Sequence, residues 1–192
     1  MEHELEPPSP TALSVSVVVF YTFFSLLGLG LLALQGLDAS AVIFGDGAAL
    51  ARDALAGAVS GLTIVGLTRF AARYEAVRKL SQELAAMLGT PGSGVIALLA
   101  VTSAVGEELL FRGALQPLIG FLPTAILFGL LHGGFNARFR LWAAFALAAG
   151  LILGALTLWT GNLLAAILCH LTVNYFNLHT VIHGDGSDSA WG

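Results

Sequence analysis

The sequence is short of charge and nearly without cysteine. Only 10% of its 192 residues are Asp, Glu, Lys or Arg, where a soluble domain carries about 25%. A water-facing fold of this length is thereby excluded. The single cysteine, Cys169, excludes an intrachain disulfide framework. Its neighbour His170 points about 100° away on a helix, so Cys169 reads as packing and not as half of a thiol–imidazole pair. The net charge of −4 offers no basic face for nucleic acid. The opening MEHELEPPSP lacks Lys and Arg, so it does not read as the start of a secretory signal. The first apolar run is expected to be a retained span. No lipidation motif is visible at either end.

What is present is apolar. Hydrophobic residues make up 57% of the chain and the mean hydropathy is +0.86. The expected fold is all-α, a polytopic transmembrane bundle of one domain over 1–192. Six runs approach the ~20 residues that cross ~30 Å of hydrocarbon. They lie at about 13–35, 48–68, 94–116, 122–134, 141–159 and 163–181, the fourth being short. Residues 1–12 and 183–192 read as flexible tails. Gly57/Gly61 and Gly150/Gly154 have the spacing that lets helices approach closely.

Between the second and third runs, 69–90 reads as an amphipathic connector. Phe70, Val77, Leu80, Leu84 and Leu88 recur at helical spacing, with Arg69, Arg73, Arg78 and Lys79 among them. Such a helix suits either an anionic membrane surface or a solvated linker. The loop at 136–140 adds Arg138 and Arg140, while the opposite side of a six-span bundle has only Arg52. The positive-inside rule then makes both basic loops and both termini cytoplasmic.

Charge inside a span costs at least ~2.5 kcal/mol per residue on insertion scales. The run EELLFR nevertheless puts Glu107, Glu108 and Arg112 in the third span. Glu108 and Arg112 are i and i+4, so they share a face and can pair. Glu107 points elsewhere and needs another partner. The fourth span ends in His132. The sixth carries His170, Asn174 and Asn177, a polar stripe at i, i+4 and i+7. A glutamate and two histidines from separate helices allow two chemistries. They can bind zinc with one position open, through Glu107, His132 and His170. Or Glu107 with His132 can activate water directly as general base. Either route needs oxyanion donors, which His170 and Asn174 can supply. HExxH and GxSxG are both absent, and no span holds an Asp pair. Ser103 lies near the glutamates but has no base at fixed spacing.

Three short motifs carry a resemblance. EELLFR resembles the EExxxR motif, FGLLH (Phe128, His132) the FxxxH motif, and HLTVN (His170, Asn174) the HxxxN motif of the CPBP intramembrane proteases. This is the CAAX-protease and bacteriocin-processing, or Abi, family, which includes the type II CAAX prenyl endopeptidases. The three occur in the family's order over 107–174. The resemblance implies endoproteolysis of a membrane-anchored protein or peptide, at a C-terminal sorting or anchor signal or a leader. It implies that Glu107 and His132 activate water, His170 and Asn174 stabilise the oxyanion, and Glu108 and Arg112 shape the site. It leaves the choice between zinc and a metal-free mechanism open. The short chain is similar to compact bacterial, myxosortase-like members, which implies a bacterial inner membrane and makes a prenylated substrate doubtful. Two other readings keep the buried polar residues. One is a non-catalytic scaffold or immunity-type protein, the other an ion-coupled carrier. Six spans without visible repeat symmetry speak against the carrier.

Overall fold

Ser9 and Pro10 start the first long helix earlier than the hydropathy suggests. The Ser9 hydroxyl accepts from the Ala12 amide at 3.2 Å, and Pro10 occupies the first turn, where its missing N–H costs nothing. A computed structural model describes residues 7–184. Residues 10–12 of the expected N-terminal tail are therefore helix, and α9 likewise takes in His183. Residues 7–9 and 184 are outside any helix, and 1–6 and 185–192 lie outside the described residues.

The chain runs through α1 (Pro10–Leu34), a short α2 (Ala39–Phe44) and α3 (Leu50–Ala71). Next come α4 (Glu75–Leu88) and α5 (Ser93–Glu108). A widened π turn (Leu109–Leu115) leads from α5 into α6 (Gln116–Ile119), and a second π turn (Leu130–Gly134) ends α7 (Phe121–Gly129). The last two helices are α8 (Arg140–Thr160) and α9 (Leu164–His183). The described residues are helical with no strand, as expected. Five helical stretches are long and apolar enough to cross a membrane. The fourth expected span, Phe121–Gly134, is too short by that measure, reaching roughly 21 Å at 1.5 Å per residue. It still brings the chain back, because Arg138 beyond it pairs with Glu83 of α4 at 3.0 Å.

The central element is the stretch Ser93–Ile119, with 56% of its 18-residue apolar window buried against 17% for α1, which turns a row of Phe, Leu and Val outward. Glycines set the close crossings. A Cβ at Gly61 would lie 2.7 Å from Thr172 Cβ, so α3 packs directly on α9. Gly154 likewise admits the Gln116 side chain. Both small-residue pairs read from the sequence thus lie at helix crossings.

One end of the bundle is tied by polar groups that the hydropathy conceals. Asp53, fully buried in the first turn of α3, accepts from Asn162 Nδ2 at 2.7 Å and Arg52 Nε at 2.8 Å. Asn162 Oδ1 accepts from the Leu164 amide at 3.0 Å, which caps α9. The Leu163 amide donates to the Val42 carbonyl at 3.0 Å, fastening α2 to the same turn. The opposite end carries α4, Glu83 and Arg138.

Candidate active site

α5 ends in Glu107 and Glu108, and the π turn begins at the next residue. Such widened turns are frequent at functional sites. This one keeps Arg112 beneath Glu108, so the expected ion pair forms. Arg112 Nη1 donates to Glu108 Oε1 at 3.0 Å, with both side chains wholly buried. Nη2 donates to the Gly150 carbonyl at 3.2 Å, and the guanidinium carbon sits 4.3 Å from the Phe128 ring centroid. Glu108 has a second partner that spacing could not reveal. His170 Nδ1 donates to the same Oε1 at 2.7 Å. Glu108 therefore links Arg112, one turn on, to His170, 62 residues from Glu108 in sequence.

Glu107 is different. Its side chain is buried, and Oε2 has no hydrogen-bond partner. That oxygen lies 3.8 Å from His132 Nε2 and 3.9 Å from His170 Nε2. The three residues expected to converge from α5, the end of α7 and α9 do face one another. His132 is placed by the second π turn, where Gly133 takes φ +90°, a conformation that favours glycine. Its Nδ1 donates to the Phe128 carbonyl at 2.7 Å, so in the neutral ring Nε2 is an acceptor. The Phe128 ring packs against His132 at 4.3 Å and against Phe111 at 5.0 Å, which gives the first residue of FxxxH its task.

Asn174, one turn beyond His170, donates to His170 Nε2 at 3.0 Å and to Ser103 Oγ at 2.9 Å. Ser103 in turn donates to the Ala100 carbonyl at 3.2 Å. Ser103 is thus a support for Asn174 and is not aligned as a nucleophile. Asn177 accepts from Thr68 at 2.9 Å and ties α9 to α3. The polar stripe of α9 divides into a site half and a packing half.

These residues open into a cavity of about 570 Å³, within the usual range of ligand pockets, ~300–1,000 Å³. Glu107, His132, His170 and Asn174 line one part of it. Val77, Leu80, Leu84 and Leu88 of α4 line another. The apolar face of α4 therefore covers this cavity. Phe70, the fifth member of that apolar series, belongs to α3 and is exposed under the Arg73 guanidinium. The expected single helix from residue 69 is broken at 72–74, where α3 ends and α4 begins. Tyr21 of α1 is a further cavity residue that the motifs did not reveal, and its backbone lies against Gly106, next to Glu107.

Among the described residues, no group of three His, Cys, Asp or Glu side chains is arranged to hold a metal ion. The distances show why. Two ligands on one tetrahedral zinc lie about 3.3 Å apart, closer than the Glu107–histidine separations of 3.8 and 3.9 Å. His170 Nε2 is also occupied by the Asn174 amide.

Residues 91–176 match the family model for the type II CAAX prenyl endopeptidase Rce1-like proteins. The matched segment contains all three motifs, and the CPBP resemblance read from them is borne out there. The chain is also similar to the Bacillus subtilis (strain 168) protein named "Uncharacterized protein YpbD", 33% identical over 79 residues. That alignment covers 41% of this chain and 41% of the relative, less than half of either. No solved structure matches the chain. With five helices long and apolar enough to span and a segment matching a membrane-protease family, the chain is an integral membrane protein.

Proposed function

We propose that the chain is an intramembrane endopeptidase that cuts a membrane-anchored protein or peptide by direct water activation. The observation that carries this reading is the unpartnered Glu107 Oε2, a buried acceptor facing two histidine nitrogens at 3.8 and 3.9 Å. Burying a lone carboxylate costs several kcal/mol. A single water between the three groups would offset part of that cost, since its two O–H groups can donate to Glu107 and His132. Its remaining lone pairs then face the cavity.

In the proposed reaction the water oxygen forms a bond to the scissile carbonyl carbon, and Glu107 takes the water's proton. The carbonyl oxygen becomes an oxyanion. Asn174, with His170 beside it, lies on the side where that charge develops. The Asn174 N–H that now donates to His170 Nε2 turns to donate a hydrogen bond to the oxyanion and keeps its proton. The carbon–nitrogen bond then breaks, and the proton held by Glu107 goes to the leaving amine. Glu108, fixed by Arg112, holds His170 in one tautomer and orientation. No step is routed through zinc, because the donors do not fit a three-ligand site.

The apolar cavity under α4 suits an apolar segment of substrate. A C-terminal sorting or anchor signal, or a leader, has that character. The basic residues of 69–89 and 136–140 put the α4 end, with both termini, on the cytoplasmic side of a bacterial inner membrane in this reading. Purified protein in proteoliposomes, given membrane-anchored reporters with apolar C-terminal or leader segments, tests it. Cleavage is expected, and it should persist in EDTA and in 1,10-phenanthroline. Loss with a chelator and recovery with zinc would overturn direct water activation. Equal cleavage by Glu107→Gln would overturn the site.

A further inference from the structure

Glu107 needs a donor, and neither histidine facing it supplies one. His132 spends its Nδ1 proton on the Phe128 carbonyl, and His170 spends its own on Glu108. In neutral rings both Nε2 atoms are then acceptors, as is the carboxylate they face. Glu108 and Arg112 are engaged with each other. Asn174 gives its amide hydrogens to Ser103 and His170. Tyr21 of α1 lines the same cavity as Glu107, and its backbone crosses α5 at Gly106, the residue before Glu107.

Tyr21 is fixed there by its surroundings. It is the α1 residue that lines the cavity. Gly106, just before Glu107, lets the α1 backbone approach. A Cβ at Gly106 would stand 2.8 Å from the Tyr21 carbonyl oxygen and 3.2 Å from Ser25 Oγ. The Ser25 hydroxyl donates to that same carbonyl at 2.8 Å. Phe24 packs on Phe111 of the π turn at 6.3 Å. The crossing of α1 over α5 is thus pinned at Tyr21 itself and at the π turn that follows the glutamates. A phenol is a suitable group for the task. It donates one hydrogen bond, keeps its apolar ring in an apolar wall, and brings no charge.

We propose that Tyr21 is the positioning residue for Glu107, its hydroxyl holding the carboxylate so that Oε2 faces the gap between His132 and His170. The catalytic consequence rests on the hydrolase reading; the contact itself does not. None of the three motifs includes this residue. It lies 86 positions before Glu107, outside the segment 91–176 that matches the family model.

The test places 3-fluorotyrosine at position 21 of the full chain in detergent micelles and follows its fluorine resonance. The resonance should move in Glu107→Gln and stay in Glu83→Gln, a control at the α4 end. Tyr21→Phe, which keeps the ring, should lower kcat on a cleaved reporter by about tenfold to a hundredfold, the effect of one hydrogen bond to a charged group, with KM little changed. A resonance indifferent to Glu107→Gln overturns the proposal whatever the activity. Tyr21→Phe at wild-type kcat also overturns it. A resonance that responds to Glu107→Gln in a protein that cleaves no reporter upholds the contact and counts against the hydrolase reading.

Discussion

Two buried carboxylate clusters sit at different levels of this bundle, and they are finished to different standards. At one end Asp53 has both oxygens bonded, one to Asn162 and one to Arg52, and Asn162 spends its own oxygen on a helix cap. At the site, three buried polar atoms have no partner among the described residues: Glu107 Oε2, Glu108 Oε2 and Arg112 Nε. Satisfied polar groups inside an apolar bundle fasten helices together. Unsatisfied ones are expensive and call for a further ligand, which in the proposed reaction is water and a substrate carbonyl. The difference separates a joint from the proposed reaction centre, although both are an acid beside an arginine.

The sharpest way to break this comparison is to neutralise one acid in each cluster. Glu107→Gln should lower cleavage by about 10²–10⁴-fold, the usual loss of a general base. Its thermal midpoint in detergent should stay at or above wild type, since a buried carboxylate with one unpartnered oxygen is replaced by a neutral side chain of the same size. Asp53→Asn should leave turnover per folded molecule unchanged. If Glu107→Gln unfolds the protein and Asp53→Asn silences it, the two clusters have been assigned the wrong way round.

Second in size is the buried pair. Glu108→Ala strands Arg112 without its carboxylate and frees the His170 ring. Breaking a buried pair from one side costs about 3–5 kcal/mol, so unfolding in mixed micelles should show a clear loss. Activity should fall in the surviving folded fraction too, because His170 loses its anchor. This is the intermediate case of the comparison, an acid that is both joint and site.

How much of this was legible beforehand follows from sequence separation. Glu108–Arg112 and His170–Asn174 are i, i+4 pairs on single helices, and helical geometry alone brings them together. Glu107, His132 and His170 were readable as a set because charge and imidazole are costly in a span and stand out against Leu, Ala and Gly. The joints were not readable. Asn162 and Asp53 are 109 residues apart, as are Thr68 and Asn177, and Ser103 and Asn174 are 71 apart. Such partners are chosen by packing. Asp53 fell inside the expected second span, 48–68, yet no residue at helical spacing from it marked it as a joint. The π turns were hidden as well, since the i, i+4 pairing of Glu108 and Arg112 survives the widened turn. The face of α4 was read correctly as apolar, but its partner proved to be a cavity that only the tertiary fold creates.

The third prediction sharpens the Asp53 side. Asp53→Ala removes the acceptor for a buried Asn162 N–H and for Arg52. A hydrogen bond to a charged group contributes about 1.5–3 kcal/mol, so the unfolding free energy should drop by that order. Hydrogen exchange should rise first at the α8–α9 turn and at α2, which hangs on it through Leu163 and Val42. Exchange rising instead around Glu107 would show that the two ends are not separate.

The smallest effect belongs to the α4 end. Arg138 and Glu83 pair at 3.0 Å, with their side chains 61% and 29% exposed. Pairs in such surroundings contribute about 0–1 kcal/mol, so Arg138→Ala should leave the thermal midpoint nearly unchanged. Its effect should appear in α4, none of whose residues is fully buried and whose apolar face closes the cavity. Amide exchange in 75–88 should quicken while α5 and α9 stay protected. Cleavage should hold or rise slightly if α4 must move to admit substrate. Slower cleavage with normal α4 exchange would mean that the 136–140 loop acts through His132, four residues before it, and that the α4 cover is passive.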